Sequence, residues 1–251
     1  MIHIVGAGCG ATDLITLRGK KFLEEADVII YAGSLVNKEL LDFAKPGAEK
    51  YDSAVMTLEE VIEKIAAAEA DGKTTVRLHT GDPSLYGAIR EQMTEFDRLG
   101  FEYDITPGVS AFSGAAAALK AEYTLPNVSQ TVIITRVAGR TDVPDSEKLS
   151  ELAKHNSTIV LYLSTGLLGK VTEELIAGGY SPDSPAAIVY KASWPDEKVF
   201  RCTVGTLEQT AKENNITKLA LITVGGFLGD EFDRSKLYDP TFPTEFRKAS
   251  E

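Results

Sequence analysis

The chain has 251 residues, with 26 Lys and Arg set against 37 Asp and Glu for a formal net charge of −11. No basic block stands out to neutralise phosphates, which excludes nucleic acid and an anionic membrane surface as expected partners. Cys9 and Cys202 stand too far apart in sequence for a Cys-x-x-Cys pair or a disulfide framework. No apolar run approaches the roughly 18 residues of a membrane span, and no leader pattern precedes MIHIVGAG, so a cytoplasmic protein is expected.

In chain order the first half alternates short β-rich runs with helical spacing. Residues 2–8 read as a strand, 14–26 as a helix, 27–33 as a strand, 57–72 as a helix ending near Gly72, and 74–81 as a strand. Residues 85–100 have helical spacing with a terminal Gly100. Residues 101–108 form a strand into a Pro-Gly turn, and 110–121 a helix of small residues. Such a β-α-β series predicts a mainly parallel sheet covered by helices.

At "EYTLPNVSQ", residues 122–130, the rhythm breaks, which sets a domain boundary between 1–121 and 122–238. Beyond it, strands are predicted at 131–137, 157–164, 186–193, 197–205 and 219–226, with helices at 146–155, 168–179 and 206–215. The second domain is therefore also α/β, with a mixed sheet. Residues 239–251 hold two prolines and no periodicity, and are expected to be a loosely held tail.

Three strand-end loops can carry chemistry. Gly6-Ala7-Gly8-Cys9-Gly10-Ala11 fits the loose G-x-G-x-x-G/A pattern, in which glycines permit close backbone approach. A nicotinamide site would also place a carboxylate at the end of the second strand. That strand ends Tyr31-Ala32-Gly33, which argues against one. In "LHTGDPSLYGAI", residues 78–89, Pro83 keeps Asp82 out of helical geometry and Gly81 leaves the main chain bare, so backbone groups at this strand end can face a ligand. Asp82 could equally cap the following helix. "TPGVSAFSGAAAAL" again ends a strand and brings Ser110 and Ser113 among small residues.

The ordered set GAGCGATDLITLRG, ADVIIYAGSLV, HTGDPSLYG and TPGVSAFSGAAAAL resembles the class III tetrapyrrole methyltransferases over roughly residues 1–230. YAGSLV, residues 124–136 and Gly139-Arg140-Thr141 are similar to the branch that methylates precorrin-4 at C-11. The resemblance implies two α/β domains with the active-site cleft between them, S-adenosylmethionine as donor, a tetrapyrrole substrate of the cobalamin pathway, no protein-bound metal, and a homodimer. Two departures stand out. Cys9 replaces the proline of the family's G-x-G-P-G, and the aspartate that follows the second-strand tyrosine in the uroporphyrinogen branch is missing.

By the same resemblance, the donor touches Thr80, Gly81, Asp82 and Leu85, then Ser110 and Ala111, and also Leu163, Ala192 and Ala220, with Cys9 in the glycine loop. A substrate rich in carboxylates needs cations, for which Arg136, Arg140 and Lys191 are the candidates. His79, beside the donor loop, is the one candidate proton shuttle. His3, His155 and Trp194 read as structural or packing groups. The alternatives are methylation at another carbon by a related enzyme, and a non-catalytic module that keeps a nucleotide-like pocket.

Overall fold

The computed structural model describes residues 1–249, so the last two residues of the expected 239–251 tail lie outside the described residues. Its internal contacts group Met1–Gly114 with Lys191–Asp196 as one unit, and Ala115–Tyr190 with the chain from Glu197 onward as another.

The first unit is a parallel sheet. Its strands are β1 (Ile2–Gly6), β2 (Val28–Tyr31), β3 (Glu49–Asp52), β4 (Thr75–His79) and β5 (Tyr103–Thr106), in the order β3-β2-β4-β1-β5. Strands β1, β2 and β4 are buried along their whole length, yet only β2 reads as a continuous apolar run, because His3 of β1 and Thr75, Arg77 and His79 of β4 are buried polar residues. Helix α1 (Leu17–Glu25) covers one face, where Leu23 packs with Val5, Ile29, Val76 and Leu78. On the other face α2 (Leu58–Ala70) and α3 (Arg90–Leu99) enclose Ile2, Ile4, Ile30, Ile65 and Phe96. Each such side chain contributes about 1.5–3 kcal/mol on burial. Helix α2 starts in a capping box between Thr57 and Glu60, and α3 stops at Gly100 with φ +71°.

Three local expectations needed adjusting. Strand β3, Glu-Lys-Tyr-Asp, has no apolar signature because it is an edge strand with half its residues exposed. The helix expected from residue 85 begins only at Arg90, since Tyr86 and Ala88 take positive φ, which an α-helix cannot hold. The helix expected over 14–26 begins at Leu17, where Thr16 accepts a hydrogen bond from Gly19 N; residues Thr12–Leu14 form a 3-10 turn before it.

Helix α4 (Ala111–Leu119) leads into the second unit. There β6 (Val132–Thr135), β7 (Thr158–Leu161), β8 (Pro185–Tyr190), β9 (Lys198–Thr203) and β10 (Ala220–Val224) form a mixed sheet in the order β6-β7-β10-β8-β9. Only β6 and β7 run parallel; the other pairs are antiparallel. Helices α5 (Leu149–Leu152), α6 (Leu168–Ala177) and α7 (Leu207–Glu213) bury Leu149, Val171, Leu175 and Leu207 against it. The expected helix 146–155 is in fact one turn of α-helix between two 3-10 turns. Residues 122–130 fold back on themselves, with Leu125 N donating to Ser129 O at 2.9 Å.

Candidate functional site

In the first unit the loops leaving β1, β4 and β5 meet with almost no side chains between them. A Cβ on Gly6 would lie 2.6 Å from Gly108 Cα and 2.7 Å from Gly81 O, and one on Gly108 would strike Gly81 O. Gly81 N donates to Gly8 O at 2.9 Å, and Gly8 N returns a bond to Gly81 O at 3.3 Å. The glycines are thus required by backbone meeting backbone at strand C-termini, where ligands of parallel sheets sit.

Asp82 ties two of these loops together. Its Oδ1 accepts from Ser84 N at 2.9 Å and Ser84 Oγ at 2.5 Å, while Oδ2 accepts from Gly108 N at 2.9 Å. Burial pushes the carboxyl pKa up, but the bonds from Ser84 and Gly108 outweigh it and hold the group below its ordinary value. Thr80 Oγ1 donates to Leu35 O at 2.5 Å, and Leu85 N to Asp82 O at 3.2 Å. Gly81 has φ +59°, and the space where its Cβ would stand is bounded by Ala111 N at 3.5 Å and Ser110 Cα at 3.7 Å. This leaves a notch lined by main chain, facing the start of α4, where Ser110 is buried and its carbonyl accepts from Ser113 N and Gly114 N.

The segment 191–196 completes this group. Ala192 is buried, and a Cβ on Gly114 would lie 2.7 Å from Cys9 Sγ and 3.4 Å from Ala192 Cβ. Cys9 is itself buried, so it fills the place of the family proline as a packed small residue. Lys191 Nζ pairs with Asp196 at 2.7 Å and lies 5.3 Å from the Trp194 ring centroid, which engages its charge within its own loop.

The structure therefore brings Cys9, Thr80, Gly81, Asp82, Ser110, Ala111 and Ala192 into one neighbourhood. His79 does not suit a proton shuttle. It is 3% exposed, its Nε2 has no hydrogen-bond partner among the described residues, and burial together with the charge of Arg77 pushes its pKa down to about 3, so the ring is neutral.

Leu163, Ala220, Arg136 and Arg140 belong to the second unit. Leu163 follows β7 with φ +52° and is 67% exposed, an unusual state for a leucine. Nearby, Thr165 Oγ1 donates to Ala220 O at 2.9 Å. The Arg136 guanidinium donates to Thr141 O at 3.0 Å and Asp142 O at 2.6 Å, closing the loop that carries Arg140. Arg140 is exposed on that loop, with no hydrogen-bond or ion-pair partner among the described residues. Of the three candidate cations, the free one is Arg140.

Sequence reasoning passed over Gly108, Asn37 and Ser84. The Pro-Gly pair at 107–108 was visible as a turn, but not as the partner of Asp82. Asn37 is 8% exposed and donates from Nδ2 to Gly10 O at 2.9 Å, a contact with no local signal. Among the described residues, no group of three His, Cys, Asp or Glu could hold a metal ion, and no helix is long and apolar enough to cross a membrane.

A parallel α/β unit with glycine-rich strand-end loops, followed by a mixed α/β unit, defines a class of two-unit α/β folds. The family of tetrapyrrole (corrin/porphyrin) methylases matches residues 1–208, and the chain belongs to it. It is 54% identical over 249 residues to the cobalt-precorrin-4 C(11)-methyltransferase of Methanocaldococcus jannaschii, spanning 99% of this chain and 96% of that protein. The X-ray structure of a cobalt precorrin-4 methyltransferase superposes with a TM-score of 0.89 at 49% identity, covering 91% of this chain and 96% of that one. A uroporphyrin-III C-methyltransferase from Thermus thermophilus, complexed with S-adenyl homocysteine, gives 0.72 at 26% identity over 90% of this chain and 92% of that one.

Proposed function

We propose that this protein transfers a methyl group from S-adenosylmethionine to C-11 of precorrin-4 or its cobalt complex, in cobalamin synthesis. The observation that carries this reading is the end-to-end likeness to C(11)-methyltransferases, which takes in all three glycine-bearing loops. The notch at Gly81 fits such a donor, because a Cβ there would fill it and its walls are main-chain groups rather than charged side chains. When bound, the donor supplies an activated methyl on a sulfonium, so the protein's task is to align it with the nucleophilic carbon.

In this reading Thr80, Gly81, Asp82 and Leu85 with Ser110 and Ala111 hold the donor, Cys9 and Ala192 pack beneath, and Leu163 and Ala220 of the second unit add apolar contacts. Asp82 acts by keeping two loops in register. Arg140 meets a substrate carboxylate, Arg136 shapes the loop that presents it, and Lys191 contributes more weakly because Asp196 already pairs with it. Two free cysteines suit a reducing cytoplasm, and the exposed Leu17 and Val55 of the first unit suit a self-interface in a homodimer.

The test is incubation of the protein with cobalt-precorrin-4, or precorrin-4, and isotopically methyl-labelled donor. One added methyl at C-11, with an equivalent of S-adenosylhomocysteine released, is the expected result. Transfer to another carbon, or donor binding without transfer to either tetrapyrrole, would overturn it.

A further inference from the structure

The glycine loop has little of its own to hold it in place. Between Gly6 and Ala11 the largest side chain is that of Cys9, yet the loop pairs through Gly8 with the donor loop at Gly81. Side chains from elsewhere fix it. Asn37 holds Gly10 O, as described above. The other two anchors come from the segment between β8 and β9. Trp194 Nε1 donates to Cys9 O at 3.1 Å, and Ser193 Oγ accepts from Ala11 N at 3.0 Å while lying 3.2 Å from Cys9 Sγ. The indole also occupies the space a Cβ on Gly10 would need.

This segment is longer than its hairpin requires. Tyr190 and Lys198 are paired across β8 and β9, so residues 191–197 form the loop, whereas hairpin loops commonly need two to five residues. It is also strained, with Lys191 at φ +47° and Ser193 at φ +65°. Strain of this kind persists where surrounding contacts over-determine it, and it gathers at ligand sites. Here those contacts are the ones made to the glycine loop.

We infer that Ser193 and Trp194 are positioning residues for the methyl donor. They fix Cys9 to Ala11, and through the Gly8–Gly81 pair they set the main-chain notch at Gly81. This rests on the proposal that the donor occupies that notch.

Substitution Ser193→Gly separates this role from a structural one, because glycine relieves the positive φ but removes the hydroxyl. A residue that served only the fold would lose stability on substitution and keep parental affinity. The positioning role predicts a melting temperature equal to or above that of the parent together with about fivefold weaker binding of S-adenosylhomocysteine by calorimetry, and a raised donor KM at nearly unchanged kcat. Trp194→Phe, which keeps most of the ring but removes the N–H, should weaken binding to a similar degree. Parental affinity in both variants would overturn the inference alone. Absence of S-adenosylhomocysteine binding by the parent protein would overturn the donor reading, and the inference with it.

Discussion

The strand ends of the two units are built by opposite means. In the first unit, Gly6 and Gly108 press main chain against main chain where a Cβ would not fit, and Gly81 turns between them at φ +59°. In the second, the loops past β6 and β7 put side chains outward: Leu163 is exposed, Arg140 is free, and Arg136 is used to close a loop. The first arrangement leaves main-chain groups close-packed at the strand ends, the feature on which the proposed donor site rests. The second leaves an exposed leucine and an exposed arginine at its loops, the features on which the proposed substrate contacts rest. The contrast can be broken by substitution.

The largest effect is expected from Gly108→Ala. Its Cβ would meet Gly81 O and lie 2.8 Å from Gly6 Cα, and neither backbone can yield without moving a strand end. Denaturant unfolding should register a loss of at least ~3 kcal/mol. Gly166→Ala in the second unit, where a Cβ would meet nothing within 4 Å, should stay within ~0.5 kcal/mol of the parent. Equal effects at the two sites would remove the distinction.

Next comes donor binding. Gly81→Val forces a β-branched residue to φ +59° and fills the notch, so titration with S-adenosylhomocysteine should show a loss of about 100-fold or more. Under the proposed donor contacts, Leu163→Ala should weaken the same binding only by about fivefold, because Leu163 is exposed and loses only part of one apolar side chain.

Acid should act on the first unit through His79. Its pKa falls from 6.5 in the unfolded chain to about 3 in the folded one, owing to burial and then to Arg77. Between those values the unfolded state binds the proton and the folded state does not, so stability drops as pH falls below about 6.5 and levels off near 3. By about pH 4.5 the loss attributable to this ring is about 3 kcal/mol. Urea melts of parent and His79→Leu at both pH values isolate it, since carboxylate effects are common to the two proteins. A parent and variant with the same pH dependence would show that the ring is not held neutral.

The smallest effect concerns the substrate. Arg140→Ala should lower kcat/KM for the tetrapyrrole about tenfold, about 1.4 kcal/mol, with donor affinity unchanged. If donor affinity fell as well, the division of labour between the two kinds of loop would be wrong.

Much of this was legible from the chain because local rules encode it. The apolar run Val-Ile-Ile-Tyr marks β2, Thr57 with Glu60 marks the start of α2, and Gly100 marks the end of α3. The glycine loops were equally plain, since a glycine at a strand end announces either positive φ or close approach. The parallel first sheet and mixed second sheet followed from the order of elements. The shortened α3 was hidden because helical spacing of apolar residues says nothing about the positive φ that Tyr86 and Ala88 adopt.

Sequence alone thus determined most of the α/β elements, the family likeness and the glycine-bearing loops, because each depends on residues within a few positions of one another. Tertiary structure alone decided how the loops are held. Ser193 and Trp194 reach the glycine loop across 182 and 185 residues of chain, and Asp82 reaches Gly108 across 26. It also decided that Arg136 closes a loop while Arg140 remains free, and that His79 is buried beside a guanidinium. Pattern and propensity act between chain neighbours, whereas these pairings exist only once packing has brought distant backbone and side-chain atoms within hydrogen-bonding distance.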